Sequence, residues 1–505
     1  MESLFRLVKS LDKSEKRYFS IYLTRHSAEG NTHDAELFHI IDKLENPSDK
    51  LLKQKITTKK IIENLSVYKH ILYKNILKCL NSYHSGKTLE DEVLELYKSS
   101  KILYDKCLYE ESKKLIHKAK KIVLENQLYT LWNMLSEMEN VIHESLFIPE
   151  EYEKRILNEF ENDYRILKAQ ENLLQYREIR CKLFYHSKKW GINDKSLNAE
   201  HLPELPNEDL YQNENNALSD NAKLKFLEIN SLLKYKDAKF KEGILLENEI
   251  QKLITSRSNK HPNVLQDMLL SLDRMIWCYY MNLNFKKVEE IIEKVNKIPD
   301  TNNNIKLIKF QLFTNVELMN KINTGDILNI VEIESRVKKF YNEFGHALSL
   351  QKQLILNYNL ALLNFVAQDY NRSSYWLETL LSSVSKNVDL DIIISAKLMN
   401  IIMQYEQKMH SLVRYSIIST KRFIKRKRSL NEFEQLFFST ISKLADYSAD
   451  EKELLTNYYK KYYAMVKNNQ PVDRCFSHYQ WGISRAHKKP MNIVIQEVNN
   501  GLILE

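Results

Sequence analysis

The sequence predicts an all-α protein, for three reasons. Only eight glycines and eight prolines occur among 505 residues, well below the average usage of about 7% and 5%. Sheet proteins need both residues at their turns, and nucleotide-binding α/β folds need glycine in their ligand loops. Apolar residues also recur at steps of three and four along most of the chain, which is helical spacing. The third reason is a helix-pair motif that recurs within the chain.

Residues 1–88 are predicted to form a small N-terminal helical module. Asp12 and Glu15 have the spacing of a capping box, so a helix should begin there. A second helix is expected near residues 35–44. A long third helix is expected near residues 59–83, where apolar side chains keep helical spacing.

Residues 89–470 are predicted to be helical apart from an irregular loop near 191–221, which is polar and contains two prolines. Pro149 should separate two helices. Residues 471–505 are predicted to be a C-terminal tail or cap. Within them, residues 492–498 alternate weakly in polarity, which allows either a strand or a capping extension.

Four stretches of this helical region share a repeated pattern. Small residues at positions 8, 20 and 27 of the unit let two helix backbones approach closely, and an aromatic at position 17 fills the turn between them. The four sets are Ser100, Tyr109, Ser112 and Ala119; Ser231, Phe240, Gly243 and Ile250; Ile276, Phe285, Val288 and Val295; and Ala361, Tyr370, Ser373 and Leu380. The third set has bulky residues at every small position, so the pattern is degenerate.

The spacing of the four aromatics indicates the length of the unit. They lie 131, 45 and 85 residues apart, near multiples of 43–44 rather than of the more usual length of about 34. Longer helices, with further degenerate units between the four stretches, would explain this. Glu247 and Lys234 depart from the pattern, because they occupy positions of the second stretch that should be apolar. Any antiparallel helix pair with small residues and an aromatic turn gives a similar pattern, which is the alternative.

Two further segments, KSLDKSEKRYF at residues 9–19 and KRFIKRKRSLNEFE at residues 421–434, give the chain a family resemblance. It resembles a group of uncharacterised bacterial tetratricopeptide-like helical-repeat proteins over nearly its whole length. The resemblance implies a right-handed superhelix of antiparallel helix pairs, a tetratricopeptide-like solenoid, following the small N-terminal helical module. It implies no activity, cofactor or site residue.

The composition constrains the charge of a possible partner and the cellular compartment of the protein. The net charge of +9 permits an acidic partner without requiring one. The five cysteines are odd in number and at least 28 residues apart, which favours a reducing compartment. No secretory leader or membrane-spanning run is evident, so the predicted location is the cytoplasm, with no membrane partner.

The motifs of common enzymes are missing from the sequence. No two glycines lie within six residues of each other, which excludes phosphate-cradling loops and the nucleophile elbow. Cys475 and His478, with His487 further on, form the only local Cys/His cluster, and they are expected to lie in a solvated tail. His143 and Glu144 are expected on a helix surface. We therefore predict a protein that is not an enzyme and that needs no cofactor or metal.

The first candidate binding surface is a row of aromatics. In units of this type, positions 5, 9 and 12 of the first helix line the concave face of the superhelix. Rigid aromatics there suit an extended or helical peptide, although packing between neighbouring repeats is the alternative. The candidate groove residues are Tyr97, Tyr104, Tyr235, Trp277, Tyr280, Tyr358 and Phe365. They predict a scaffold that binds a protein or peptide partner through its concave face.

The second candidate surface is a basic segment at residues 411–428, which has no acidic residue and includes Tyr415 and Phe423. Its basic residues are Arg414, Lys421, Arg422, Lys425, Arg426, Lys427 and Arg428. Such a density of cations suits nucleic-acid phosphates or an acidic protein. A solvated helix end, stabilised by the helix dipole, is the alternative. Association with nucleic acid is therefore the alternative function.

Overall fold

The computed structural model of the protein describes residues 2–25, 31–190, 209–257, 261, 263–383, 390–446, 450–468, 470–473 and 475–501. These residues form helices and turns, and no strand occurs among them. In the part of the chain that the structure describes, no helix combines the length and apolar character needed to cross a bilayer. The chain divides into a first unit, Met1–Ser271, and a second unit, Leu272–Glu505.

The first unit begins with six helices. They are α1 (Glu2–Ser10), α2 (Lys13–Arg25), α3 (Asn31–Lys43), α4 (Asp49–Lys55), α5 (Lys59–Glu63) and α6 (Leu65–His84). The predicted capping box is confirmed, since Glu15 N–H donates to Asp12 Oδ1 and Asp12 N–H donates to Glu15 Oε2, at 2.8 and 2.9 Å. The predicted single helix at 59–83 is interrupted at Asn64, whose φ of −118° and ψ of 34° are not helical.

The rest of the first unit contains longer helices. They are α7 (Leu89–Asp105), α8 (Tyr109–Glu125), α9 (Trp132–Leu146), α10 (Pro149–Trp190), α11 (Asp209–Gln212), α12 (Asp220–Lys236), α13 (Phe240–Thr255) and α14 (Val264–Met281), which crosses into the second unit. Pro149 is the first residue of α10, where a missing N–H costs nothing. Residues 191–208 of the expected irregular loop lie outside the described residues, and its remainder contains α11 and the N-cap of α12.

The second unit continues the series of helices to the end of the chain. They are α15 (Phe285–Lys297), α16 (Asn303–Lys309), α17 (Asn315–Thr324), α18 (Ile330–Phe344), α19 (Leu350–Val366), α20 (Tyr370–Ser382), α21 (Leu390–Glu406), α22 (His410–Lys425), α23 (Glu432–Ala445), α24 (Glu451–Lys467), α25 (His478–His487) and α26 (Met491–Asn499). The strand allowed at residues 492–498 is wrong. This segment is helical because Met491, Val494 and Ile495 all bury on one helix face.

Many neighbouring helices pack as pairs, including α7 with α8, α12 with α13, α19 with α20 and α21 with α22. The second helices of successive pairs begin at Tyr109, Pro149, Phe240, Phe285, Ile330, Tyr370, His410 and Glu451. The interval is 40 to 45 residues except between Pro149 and Phe240, where the irregular segment intervenes. This observed interval is close to the predicted 43–44 and includes the units that the sequence pattern did not align.

Five of the pairs share one turn. An aromatic near the end of the first helix packs on the ring five residues later, with centroids 5.2 to 6.2 Å apart, in Tyr104–Tyr109, Tyr235–Phe240, Tyr280–Phe285, Phe365–Tyr370 and Tyr405–His410. The residue three positions after the first ring always has a positive φ. The following N–H donates to the carbonyl of the residue before that ring, which completes a Schellman turn. His410 replaces the expected hydrophobic aromatic, which explains why the sequence pattern missed the fifth unit.

The small positions of the repeat behave as predicted, because all of them are buried. Ser100 Oγ lies 2.8 Å from Ser112 Oγ across the α7–α8 interface. Glu247, which departs from the pattern, is also fully buried. Its carboxylate accepts hydrogen bonds from the hydroxyls of Ser231 on α12 and Ser271 on α14. The expected apolar contact is thus replaced by a buried polar link among three helices.

Candidate functional site

Three of the predicted groove aromatics lie in the first unit, and all three are half-buried. Tyr104 packs on Tyr109 across its turn, and its Oη lies 3.0 Å from Ser145 Oγ on α9. Tyr235 packs in the same way on the aromatic of its own turn. Tyr97 lies two helical turns before Tyr104 on α7 and contacts the local apolar core. These rings therefore stabilise the helix pairs while part of each remains exposed.

The other four predicted groove aromatics lie in the second unit. Trp277 and Tyr280 are half-buried on α14, with ring centroids 5.6 Å apart. Burial raises the pKa of Tyr280 to about 12, and the Asn323 amide donates to its Oη. Tyr358 and Phe365 on α19 are only 1% and 2% exposed. These last two rings do not line an open groove.

Tyr358 and Phe365 are buried because the C-terminal end of the chain lies over their helix. We define the C-terminal cover as the described residues of 470–499, which include α25 and α26. The Phe476 ring packs edge to face on the Phe365 ring, with centroids 5.3 Å apart. In this unit α19 packs beside α17 and α21, and α21 packs beside α23. The cover contacts all four of these helices, and we call the surface they share the first-helix face.

His478 is the most deeply buried polar side chain of the cover, with no exposed surface. Its Nδ1 lies 2.9 Å from Tyr458 Oη, and its Nε2 lies 3.1 Å from Asp473 Oδ2. The Phe476 ring packs beside the imidazole, with centroids 4.8 Å apart. The expectation that Cys475 and His478 lie in a solvated tail is wrong for the histidine, because aromatic rings and a carboxylate enclose it.

Trp481 and Arg485 fix α25 to one carboxylate on α21, in the first-helix face, and to another at the start of α24. Trp481 Nε1 donates to Glu406 Oε1 at 2.8 Å. Arg485 lies 3.4 Å from the same carboxylate oxygen and 2.7 Å from Glu451 Oε1. Burial raises the pKa of Glu406, and the positive charge of Arg485 acts against that rise. The face thus offers a buried acceptor that suits an indole N–H and a neighbouring cation.

Two glycines allow the cover to approach this closely. Gly325 has a φ of +67°, and a Cβ there would lie 2.5 Å from Asn492 O on α26. A Cβ at Gly482 would lie 2.7 Å from Tyr459 Cβ on α24. Gln496 also donates to Gly325 O at 3.3 Å. Sequence reasoning missed both glycines, although an isolated glycine in a helical pattern is a signal of close backbone packing.

The side chains that anchor α25 follow the spacing of a helix bound in a groove. His478, Trp481 and Arg485 stand at positions i, i+3 and i+7, so they share one side of the helix. Amphipathic helices commonly bind partner grooves through anchors at this spacing. α25 packs mainly on α24, and its anchors also reach the first-helix face at Glu406. Together, α24 and the first-helix face therefore bind an amphipathic helix whose anchors are aromatic rings followed by a cation.

The basic segment forms α22 and the turn after it, and part of it is engaged within the protein. Arg428 makes two hydrogen bonds to the Glu434 carboxylate, at 2.7 and 3.0 Å, and Glu434 is 2% exposed. Lys421 Nζ lies 5.3 Å from the centre of the Phe438 ring. Both contacts join the end of α22 to α23. These two cations therefore stabilise the fold.

The rest of the basic segment faces solvent. Arg414 pairs with Asp446 at 2.7 Å, with both side chains largely exposed. Tyr415 and Ile418 are 72% and 58% exposed on the same helix. Within the described ranges, four cations form no ion pair: Arg422, Lys425, Arg426 and Lys427. The structure thus places four exposed cations next to exposed apolar side chains.

A second buried histidine lies in the first unit. His143, expected with Glu144 on a helix surface, is only 5% exposed, so the expectation is wrong for the histidine. It lies on α9 with Glu139, one turn earlier, and both side chains point toward α8. His117 of α8 completes a cluster whose ligand atoms all lie within 4.8 Å of one another. No sequence motif indicated this cluster, because its members come from two helices.

Comparison with known proteins gives the chain no relative from which to transfer a function. No protein-family model matches it, and searches of curated proteins and of solved structures gave no match.

Proposed function

We propose that the chain is a cytoplasmic, tetratricopeptide-like solenoid that acts as a scaffold rather than an enzyme, and that it binds a protein or peptide segment on its first helices. The observation that supports this proposal is the C-terminal cover. The first helices of the second unit, together with α24, already bind a helical segment, through an aromatic pocket and the buried Glu406 carboxylate. Equivalent helices in the first unit are built on the same turn.

The first unit offers the surface on which a partner segment would bind. Tyr97 and Tyr104 project from α7, and part of each ring is exposed. A tyrosine loses little conformational entropy on binding and presents a large contact area, which is why such rings are common at interaction sites. A partner that inserts apolar side chains between these rings would bury their remaining surface. We expect an amphipathic helix similar in character to α25.

A photo-crosslinking experiment tests where the partner binds. A photoreactive phenylalanine analogue replaces Tyr97 in one protein and Glu95 in a matched control. Both positions lie on α7, but they are about 160° apart around the helix. We expect discrete adducts with cellular proteins from position 97 only. Identical adducts from both positions, or none from position 97, would contradict the proposal.

Alanine variants test whether the tyrosines contribute to affinity. We expect Tyr97→Ala combined with Tyr104→Ala to weaken binding of the crosslinked partner by at least about tenfold, since central aromatic contacts are worth 1–2 kcal/mol or more. Tyr164→Ala is the control, because Tyr164 is 65% exposed on α10. Circular dichroism would verify that each variant is folded. Equal binding by all three proteins would exclude this surface.

The second candidate function is association with nucleic acid through α22. It is favoured by the four exposed cations beside Tyr415 and Ile418, since cations bind phosphates and an aromatic ring can stack on a base. Such binding should weaken steeply as salt is added, because it releases counterions.

Charge reversal separates the two candidate functions. Lys425→Glu with Arg426→Glu should weaken binding to single-stranded RNA and duplex DNA uniformly across sequences. The matched control reverses Lys460 and Lys461, which are exposed on α24 of the same unit. Fluorescence anisotropy at low salt provides the measurement. Equal affinity of both charge-reversed proteins, or no binding by the unmodified chain, would exclude this candidate.

A further inference from the structure

We infer that His117, Glu139 and His143 form a binding site for a divalent transition-metal ion, of which Zn²⁺ best matches the ligands. Two imidazoles and one carboxylate are a ligand set that zinc uses, with water completing the coordination. Imidazole also suits copper, nickel and cobalt. This site lies in the first unit and shares no residue with the proposed partner surface.

The geometry places the three ligands on two packed helices. Glu139 and His143 stand one turn apart on α9, and His117 approaches from α8. His117 Nε2 lies 3.1 Å from Glu139 Oε1. Neighbouring ligand atoms in a tetrahedral zinc site are about 3.3 Å apart, given bonds of about 2.0–2.1 Å. This pair is therefore already at nearly the required separation.

Only a small movement is needed to bring all three ligand atoms to the spacing of a tetrahedral zinc site. All three ligand atoms lie within 4.8 Å of one another, so the widest separation needs to shrink by about 1.5 Å. The His117 side chain is 51% exposed and can rotate, whereas Glu139 is only 2% exposed. Two buried ligands thus hold a fixed position, and one exposed ligand closes over the ion. The same exposed side admits the ion and water.

Lys120 holds the carboxylate without occupying the oxygen that the metal needs. It forms an ion pair with Glu139 Oε2, whereas the His117 contact is to Oε1. Its Nζ also lies 4.4 Å from the centre of the Trp132 ring, which fixes the ammonium group. Carboxylates that bind metals are commonly oriented by such a second contact. The Lys120 ammonium group also repels a metal ion electrostatically. We therefore expect moderate rather than very tight affinity for the metal.

Calorimetric titration of the full chain with zinc chloride tests the site. The protein is first treated with a chelator, and its exposed thiols at Cys107, Cys181 and Cys475 are alkylated so that they do not bind zinc. We expect one equivalent of Zn²⁺ per chain. Co²⁺ should give the visible absorption of a tetrahedral site. Absence of saturable binding would overturn the inference.

Variants assign the binding to these residues. His117→Ala should weaken Zn²⁺ binding by at least about tenfold, because even outer contacts to a metal site contribute tenfold or more. This histidine is half-exposed, so its removal should leave the fold intact. Glu139→Gln should also weaken binding, with folding checked by circular dichroism. His70→Ala is the control, since His70 is exposed on α6. Equal affinity of His117→Ala and His70→Ala would overturn the inference.

Discussion

Tyr104 in the first unit and Phe365 in the second unit occupy the same place in the same turn, but their surroundings differ. Each ring packs on the aromatic five residues later, with centroids 5.2 and 5.4 Å apart. Tyr104 nevertheless keeps part of its surface exposed, whereas Phe365 lies beneath Phe476. The local turn therefore fixes the ring pair, and a distant segment decides whether the ring is available to a partner.

Buried carboxylates show the same contrast between the units. Glu247 in the first unit accepts hydrogen bonds from two serine hydroxyls contributed by neighbouring helices. Glu406 in the second unit accepts from Trp481 and pairs with Arg485, both of which belong to the C-terminal cover. Glu247 thus joins neighbouring helices of the first unit to one another. Glu406, in the second unit, binds the C-terminal cover.

The largest expected effect comes from truncating the two equivalent rings. Phe365→Ala should lower the free energy of unfolding by about 3–5 kcal/mol, because it removes a buried phenylalanine and leaves a cavity under the cover. Tyr104→Ala should cost about 1–2 kcal/mol, since its ring is already partly solvated. Urea denaturation followed by circular dichroism provides the measurement. Equal losses in both variants would mean that the cover does not distinguish the two sites.

Those features of the fold that are formed by residues close together in the sequence could be predicted from it. The turn that repeats in five pairs is completed within six residues, so its aromatics and its interval are visible in the sequence. The capping box at Asp12 and Glu15 is equally local. Patterns of this kind report which face of a helix is apolar, and they identified the buried small positions of the repeat.

The candidate site could not be predicted in the same way. The contact between Phe365 and Phe476 joins residues more than 100 positions apart, and hydrophobic periodicity contains no information about such pairs. The prediction of a groove assumed that no other segment of the chain covers the first-helix face. His143 and His117 likewise meet only when α8 packs on α9. Spacing within one helix therefore identified neither the cover nor the histidine cluster.

A smaller effect is expected where the basic segment joins two helices. Arg428→Gln should lower the free energy of unfolding by about 1–2 kcal/mol, because the buried Glu434 carboxylate loses a charged partner. Arg422→Gln, in the same basic segment, is the matched control and should change the free energy of unfolding by less than about 0.5 kcal/mol. Urea denaturation of the two variants makes the comparison. Similar losses would contradict the distinction between structural and exposed cations.

The smallest expected effect is a pH dependence at the cover. Burial raises the pKa of Glu406 above its ordinary value of 4.5, although Arg485 opposes the shift. Because the folded-state pKa is the higher one, the stabilisation from this carboxyl is complete below the unfolded pKa and is lost as pH rises through the folded value. Glu406→Gln removes this titration and keeps an acceptor for Trp481. The stability of the variant relative to the unmodified chain should therefore increase as pH rises above 4.5. Urea denaturation across that range measures the difference, and parallel curves for the two proteins would show that Glu406 does not resist ionisation under the cover.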